Sequence, residues 1–214
     1  PYERLYSGPH IGVCNPLFKT SRRECKLNSD YDNIDLLNIE FGYSQRTNYV
    51  PGKPHDEYMN AIVDNEWSGK VTNDYRIVAR KMLNLGGERT FISAVIPPKT
   101  THINGLLGFD FKNKHVLVLA EAMFSSIPFD YFVRTLNKSN LQPNVVAKLP
   151  YVSTKYDDAL RIRALMLNCL SSEYEELWEA EYKKEFNKDS WAKRDNRLDN
   201  KKFRMLQSQL SFDT

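Results

Sequence analysis

The sequence contains no apolar run of the roughly 18 to 20 residues that a membrane-spanning helix needs. It does not open with charged residues followed by an apolar segment, as a secretory signal peptide does. We therefore expect a cytoplasmic protein that enters no membrane. With 214 residues, of which 41% are hydrophobic and 12% aromatic, the chain can bury one sizeable core or two small ones.

Cysteine is scarce, with only Cys14, Cys25 and Cys169 in the whole chain. The number is odd, and none of the three belongs to a C-x-x-C pair or lies near two histidines at the spacing of a zinc site. We therefore expect reduced structural thiols and no metal centre.

Motifs of the common catalytic sites are missing as well. The sequence has no P-loop, no G-x-S-x-G, no H-E-x-x-H and no cysteine–histidine nucleophile pattern. An adenine methyltransferase needs a glycine-rich turn for its cofactor and an Asn-Pro-Pro-aromatic motif. Asn15-Pro16-Leu17 lacks the second proline and the aromatic residue, and Gly86-Gly87 is typical of a simple turn. We therefore expect no catalytic residue in this chain and no binding of S-adenosylmethionine.

The carboxylates that a metal-dependent nuclease needs are also not arranged in the usual pattern. Glu24 and Lys26 have the local E-x-K form, but no aspartate precedes them in the chain. Asp110 and Lys112 fit the ordinary alternation at the end of a strand. A nuclease with an unrecognised site stays open as an alternative.

The net charge of +3 is only mildly basic, so the total does not identify a nucleic-acid-binding protein. Cations concentrate in residues 19–26 and 76–81, with aromatic and amide side chains between these stretches. Each cluster alone can be a solvated surface. Together they favour DNA, because Arg and Lys hold phosphates while Asn and Gln read base edges. The candidate DNA-contacting residues are Lys19, Arg22, Arg23, Arg46, Asn48, Lys53, Arg76, Arg80, Lys99, His102 and Asn104.

Two polar loops supply the candidates for base recognition. Arg46 and Asn48 precede the turn Pro51-Gly52, where Arg can pair with guanine and Asn with adenine, although Asn48 can equally cap the turn. Residues 99–104 follow Pro97-Pro98, which we expect to hold this loop stiffly with its imidazole and amide available to DNA. Alternatively, the prolines merely end a strand and the polar side chains satisfy a turn.

Short apolar segments bounded by turn residues predict strands over residues 34–41, 90–96 and 105–111. Residues 73–84 are predicted as a helix, with a strand over residues 75–80 as the alternative.

Helical spacing dominates the second half of the chain. Val116, Leu119 and Met123 recur at three- and four-residue steps, and the spacing resumes after Pro128, which predicts two helices joined at this proline. From Tyr156 onward the sequence is predicted to be entirely helical. Its predicted features are an inward apolar stripe with Ile162, Met166, Leu177 and Trp178, a capping box of Ser172 and Glu175, and a last helix over residues 201–210.

Several stretches resemble the C-terminal region of large adenine-specific DNA methylases, namely type IIG-like restriction–modification proteins and related methylases of bacterial phage-defence islands. The resemblance covers nearly the whole chain, and its strongest part is the R-T-x-I-x-A-x-I-P-P run over residues 89–98. The segment over residues 136–151 is similar to the one that closes a target recognition domain in type I specificity subunits. The stretches are SGPHIGVCNPLFKTSRREC, IDLLNI, QRTNYVPG, YRIVARKM, ERTFISAVIPPKTTHINGLLGFDF, LNKSNLQPNVVAKLPY and RALMLNCLSSEYEELWEAEYKKEF.

The resemblance implies an α+β fold in which residues 1–152 form a mixed-sheet DNA target recognition domain and residues 153–214 a helical spacer or docking segment. Double-stranded DNA would be the ligand, and an upstream methylase domain of the same polypeptide would be a partner. That domain would hold S-adenosylmethionine and transfer the methyl group. Since the chain begins with Pro1, we expect it to be a piece of a longer protein. The alternative is a protein-interaction module of a defence complex, whose working surface is the acidic helical segment.

Overall fold

A computed structural model describes residues 3–188, so the predicted last helix over residues 201–210 lies outside the described residues. The predicted α+β class is confirmed: short strands fill the first half and helices follow toward the C-terminus. The strands are β1 Arg4–Tyr6, β2 Lys19–Ser21, β3 Tyr31–Asn33, β4 Asp64–Asn65, β5 Gly69–Lys70, β6 Arg76–Arg80, β7 Ser93–Ile96, β8 Thr100–His102 and β9 Leu106–Asp110. The helices are α1 His55–Ala61, α2 Lys114–Phe124, α3 Ile127–Thr135, α4 Pro143–Val146, α5 Asp157–Asn168 and α6 Glu175–Glu181.

The central sheet is antiparallel and three-stranded, with β6 between β7 and β9. Successive side chains of a strand point to opposite faces. Ile77 and Ala79 accordingly join the large hydrophobic core, whereas Val78 joins a smaller cluster on the other face. A strand covered on both faces has a continuous apolar run, which periodicity alone does not distinguish from a helix. The predicted helix over residues 73–84 is therefore wrong, and the strand alternative is confirmed.

Helix α2 packs on strands β6 and β7, and α5 and α6 pack against α2 in the large core. The four residues predicted to pack there are at most 1% exposed and belong to the large core: Ile162, Met166, Leu177 and Trp178. The two helices predicted around Pro128 are confirmed as α2 and α3, and the proline lies in the first turn of α3. The division of the chain after residue 152 stays a prediction about independent folding units.

No single helix in residues 3–188 is long and apolar enough to cross a membrane. Helices α2 and α3 reach that length only as a pair, which is bent by 65° at the break.

The other face of the sheet carries a smaller cluster that includes Tyr6, Ile11 and Ile96. Here β1 and β8 form a parallel pair, with Arg4 opposite Thr100 and Tyr6 opposite His102. The loop predicted over residues 99–104 is therefore wrong in its centre, where β8 lies, while Lys99 and Asn104 on either side of the strand are exposed. The parallel pair is a separate two-stranded sheet, so the fold contains both kinds of strand pairing.

Two further local predictions are wrong. Residues 34–41 form turns instead of a strand, because the Asp35 side chain accepts a hydrogen bond from the backbone of Leu37 at 3.1 Å and competes with strand pairing. Ser172 does not cap a helix with Glu175. It begins a short 3₁₀ turn, and α6 starts one residue after Tyr174, whose buried hydroxyl donates to the carbonyl of Val95 at 2.9 Å.

No disulfide joins the three cysteines, all of which lie in the described part of the chain. Cys14 and Cys169 are buried, as expected of structural thiols.

Asn168 connects α5 to the sheet through a buried side chain. Its Oδ1 accepts the backbone N–H of Val95 at 2.8 Å, and its Nδ2 donates to the carbonyl of Ala164 at 2.9 Å. We expect Asn168→Ala to lower the free energy of unfolding by about 1–3 kcal/mol, because the Val95 N–H is left buried without its acceptor. Urea unfolding measures this, with exposed Asn144→Ala as the control. Equal stability of the two variants would contradict the connection.

Candidate nucleic-acid interface

Strands β2 and β3 form a separate two-stranded antiparallel ribbon, in which Lys19 lies opposite Asn33 and Ser21 opposite Tyr31. Residues 22–30 connect the strands, and most of their side chains are exposed. The loop has a defined shape because the Asp30 carboxylate accepts the backbone N–H groups of residues 26 and 27 at 2.9 and 2.8 Å. These hydrogen bonds lower the pKa of Asp30. The ribbon thus presents a shaped loop to solvent.

Arg46 lies alongside β2, although 25 residues separate it from Ser21. Its backbone N–H donates to Thr20 Oγ1 at 3.1 Å, and its carbonyl accepts from the N–H and hydroxyl of Ser21 at 3.3 and 3.2 Å. This pairing places the Arg46 side chain next to those of the ribbon.

His10 holds the same carbonyl from the protein interior. Its Nδ1 accepts the backbone N–H of Ser7 at 2.9 Å, so Nε2 carries the proton and donates to the carbonyl of Arg46 at 3.2 Å. Burial lowers the pKa of His10 to about 4, which keeps the ring neutral at pH 7. The sequence gives no sign of this positioning role, since no local pattern links residue 10 to residue 46.

One groove beside the ribbon collects three of the predicted arginines, and we call it the arginine groove. It has a volume of about 450 Å³. Arg22 donates to the Asp32 carboxylate from Nε at 3.0 Å and from Nη2 at 2.8 Å, and these bonds lower the pKa of Asp32. The lining therefore contains three arginines and one carboxylate, and the carboxylate pairs with Arg22. The lining residues are Thr20, Ser21, Arg22, Arg23, Asp32, Tyr43, Ser44 and Arg46.

A second groove on the same ribbon contains Lys19 and Arg80, and we call it the Arg80 groove. Its volume is about 540 Å³. The Lys19 ammonium lies 5.3 Å and the Arg80 guanidinium 5.8 Å from the centre of the Phe18 ring. The lining residues are Ser7, Gly8, Pro9, Phe18, Lys19, Asn28, Tyr31, Tyr49, Arg80, Met82, Asn84, Ile103 and Gly105.

Arg76 is not a surface residue, which corrects its place among the candidate DNA contacts. It is 5% exposed, and its Nη2 donates to the carbonyl of Thr100. Burial lowers its pKa. The side chain is held in the interior beside β8 and has no route to a phosphate in this structure.

The two candidate amides have their oxygens engaged within the protein. Asn48 Oδ1 accepts from the hydroxyl of Tyr31, and Asn104 Oδ1 accepts from the ammonium of Lys81, each at 2.8 Å. Bidentate recognition of adenine uses both the oxygen and the nitrogen of an amide. Each amide oxygen thus already accepts one of the two hydrogen bonds that it can take, and a base would have to share or displace that contact.

The remaining candidates lie outside both grooves. Lys53 pairs with Glu57 at 2.6 Å. Burial lowers the pKa of His102, which packs so closely on Gly108 that a Cβ there would lie 2.6 Å from its Nε2. Lys99 lines a different groove of about 510 Å³ together with Glu173, Glu175, Glu176 and Glu179. Such an acidic lining would repel a phosphate.

Among residues 3–188, no group of three or more His, Cys, Asp or Glu side chains could hold a metal ion. No protein-family model, curated protein or solved structure matches this chain.

Proposed function

We propose that this chain is a DNA-recognition module and that the β2–β3 ribbon with the arginine groove is its contact surface. One observation carries the proposal: a two-stranded ribbon presents Arg22 and Arg23 in its exposed loop, with Arg46 fixed alongside by His10. The major groove of B-DNA admits a two-stranded ribbon, and arginines beside it suit the flanking phosphates.

The proposal agrees with the resemblance to the target recognition region of adenine-specific DNA methylases. In that arrangement this chain binds double-stranded DNA and contributes no catalytic residue. S-adenosylmethionine and methyl transfer belong to a methylase domain upstream in the same polypeptide, within a cytoplasmic restriction–modification system.

Arg22 is paired with Asp32 in the free protein, and both side chains are more than half exposed. Water and salt screen such a pair strongly, so Arg22 can exchange Asp32 for a phosphate at little cost. Asp32 meanwhile keeps the guanidinium oriented into the arginine groove.

We expect the double variant Arg22→Ala/Arg23→Ala to weaken binding to duplexes of any sequence, because phosphate contacts carry no sequence information. Each lost phosphate contact lowers the slope of log affinity against log salt by roughly 0.9, so two lost contacts lower it by about 2. Fluorescence anisotropy of labelled duplexes at several sodium chloride concentrations measures both effects.

The matched control is Lys112→Ala/Lys148→Ala, which removes the same charge from exposed positions outside both grooves. An equal loss in the control would show that only net charge matters and would contradict the assignment of the surface. Absence of salt-dependent binding to any duplex would favour the protein-interaction alternative. Cleavage of the duplex in magnesium would favour a nuclease.

A further inference from the structure

Arg80 is a half-buried cation without a counter-ion in the described part of the chain. Its Nη2 donates to the carbonyl of Ile11 at 2.5 Å, while its buried Nε has no hydrogen-bond partner within residues 3–188. Burial lowers the pKa of Arg80, and no neighbouring carboxylate acts against this. A buried charge is costly unless it is paired. A bound anion would supply the counter-charge that Arg80 lacks.

Lys19 supplies a second cation to the same place. Both charges lie against the Phe18 ring, and Lys19 forms no ion pair with any carboxylate that the structure describes. The lining of the Arg80 groove contains neither aspartate nor glutamate, unlike the arginine groove with Asp32 and the groove at Lys99 with its four glutamates. The Arg80 groove is thus suited to an anion in a way that the other two are not.

The volume of the Arg80 groove and its other lining residues indicate which chemical group is attached to the anion. A volume of about 540 Å³ lies within the range of roughly 300–1,000 Å³ found for small-molecule sites. Tyr49 lines the groove and is 41% exposed, so its ring is accessible to a planar partner. Asn28 and Asn84 add exposed amides. Aromatic rings stack on bases, and amides bond to base edges.

We propose that the Arg80 groove binds one nucleotide, with the phosphate between Lys19 and Arg80 and the base against Tyr49. This inference rests on the proposed DNA-recognition function, and it adds to the duplex-contacting ribbon a separate subsite for a single nucleotide. The nucleotide comes either from a DNA strand or from the free pool, since the recognising chemistry is the same.

The test uses the full 214-residue chain and isothermal titration with inorganic phosphate, 5′-mononucleotides and short single-stranded oligonucleotides. We expect Lys19→Met and Arg80→Met each to weaken mononucleotide binding at least tenfold. Tyr49→Ala should weaken the mononucleotide by a similar factor and leave inorganic phosphate unchanged. Lys112→Met, with the same loss of charge outside the groove, should change none of the affinities.

Lys19 and Tyr49 are partly exposed, so their variants decide the test even where Arg80→Met does not fold. Duplex binding without measurable mononucleotide or oligonucleotide binding would overturn the inference and leave the proposed function standing. Mononucleotide binding that depends on Lys19, in a protein that binds no duplex, would support the nucleotide site in the Arg80 groove. It would identify the free pool as the source of the nucleotide, and it would contradict the proposed DNA-recognition function. An equal effect of Lys19→Met and Lys112→Met would overturn the inference.

Discussion

Replacing Glu121 by glutamine is expected to remove most of the loss of stability that the parent protein shows as the pH rises from about 6.5 to 8. Glu121 lies on α2 and is fully buried. Its Oε1 accepts hydrogen bonds from the hydroxyls of Ser93 at 3.1 Å and Ser125 at 2.7 Å, while Oε2 has no partner within residues 3–188. An uncompensated carboxylate would be costly in such a place.

The sign of the effect follows from the pKa of Glu121. Burial raises it to about 8 from an ordinary value near 4.5, so the folded protein holds a proton that the unfolded chain releases. The resulting stabilisation is fully present below about pH 4.5 and is lost as the pH rises through about 8. Between these two pH values, each pH unit changes the free energy of unfolding by up to about 1.4 kcal/mol, which amounts to several kcal/mol over the whole range.

Urea unfolding between pH 5 and 9 measures this effect. Glu121→Gln keeps the shape of the side chain and cannot ionise, so it should match the parent protein near pH 5 and exceed its stability above pH 8. Glu88→Gln, at an exposed carboxylate, is the control and should leave the pH profile unchanged. A Glu121→Gln profile that runs parallel to that of the parent would show that Glu121 does not carry the proton.

Arg161→Met should destabilise the protein by about 3–5 kcal/mol, the range for removing one partner of a buried ion pair. Arg161 is 1% exposed and bonds to the carboxylates of Glu181 on α6 and, at 2.9 Å, Asp158 on its own helix. Without the guanidinium, the Glu181 carboxylate remains in the interior, 3.6 Å from Nδ1 of His115.

The double variant Arg161→Met/Glu181→Gln distinguishes two effects on stability: the loss of the ion pair, and the unpaired Glu181 carboxylate that Arg161→Met leaves behind. We expect it to recover a large part of the lost stability, because no carboxylate then remains uncompensated. Thermal or urea unfolding of the two variants provides the comparison. A double variant that is less stable than Arg161→Met would mean that packing of the Arg161 stem dominates.

The sequence by itself determined the elements whose signals are local. A proline within a helical pattern ends one helix and begins the next, so α2 and α3 were predictable around Pro128. The inward positions of α5 and α6 followed from their spacing, because the apolar face of a helix must meet the core. The α+β class follows from these same local signals.

Only the tertiary structure decided which charged groups are available for binding. Arg76 and Arg80 lie four residues apart on β6, on the same face of the strand, yet Arg76 is sealed beside Thr100 whereas Arg80 lines an open groove. Arg46 joins the ribbon through contacts with residues 10, 20 and 21. Hydrophobic periodicity reports which face of a segment is apolar. The burial of a charge and its partners depend on residues that are distant in the sequence, and these come together only in the folded chain.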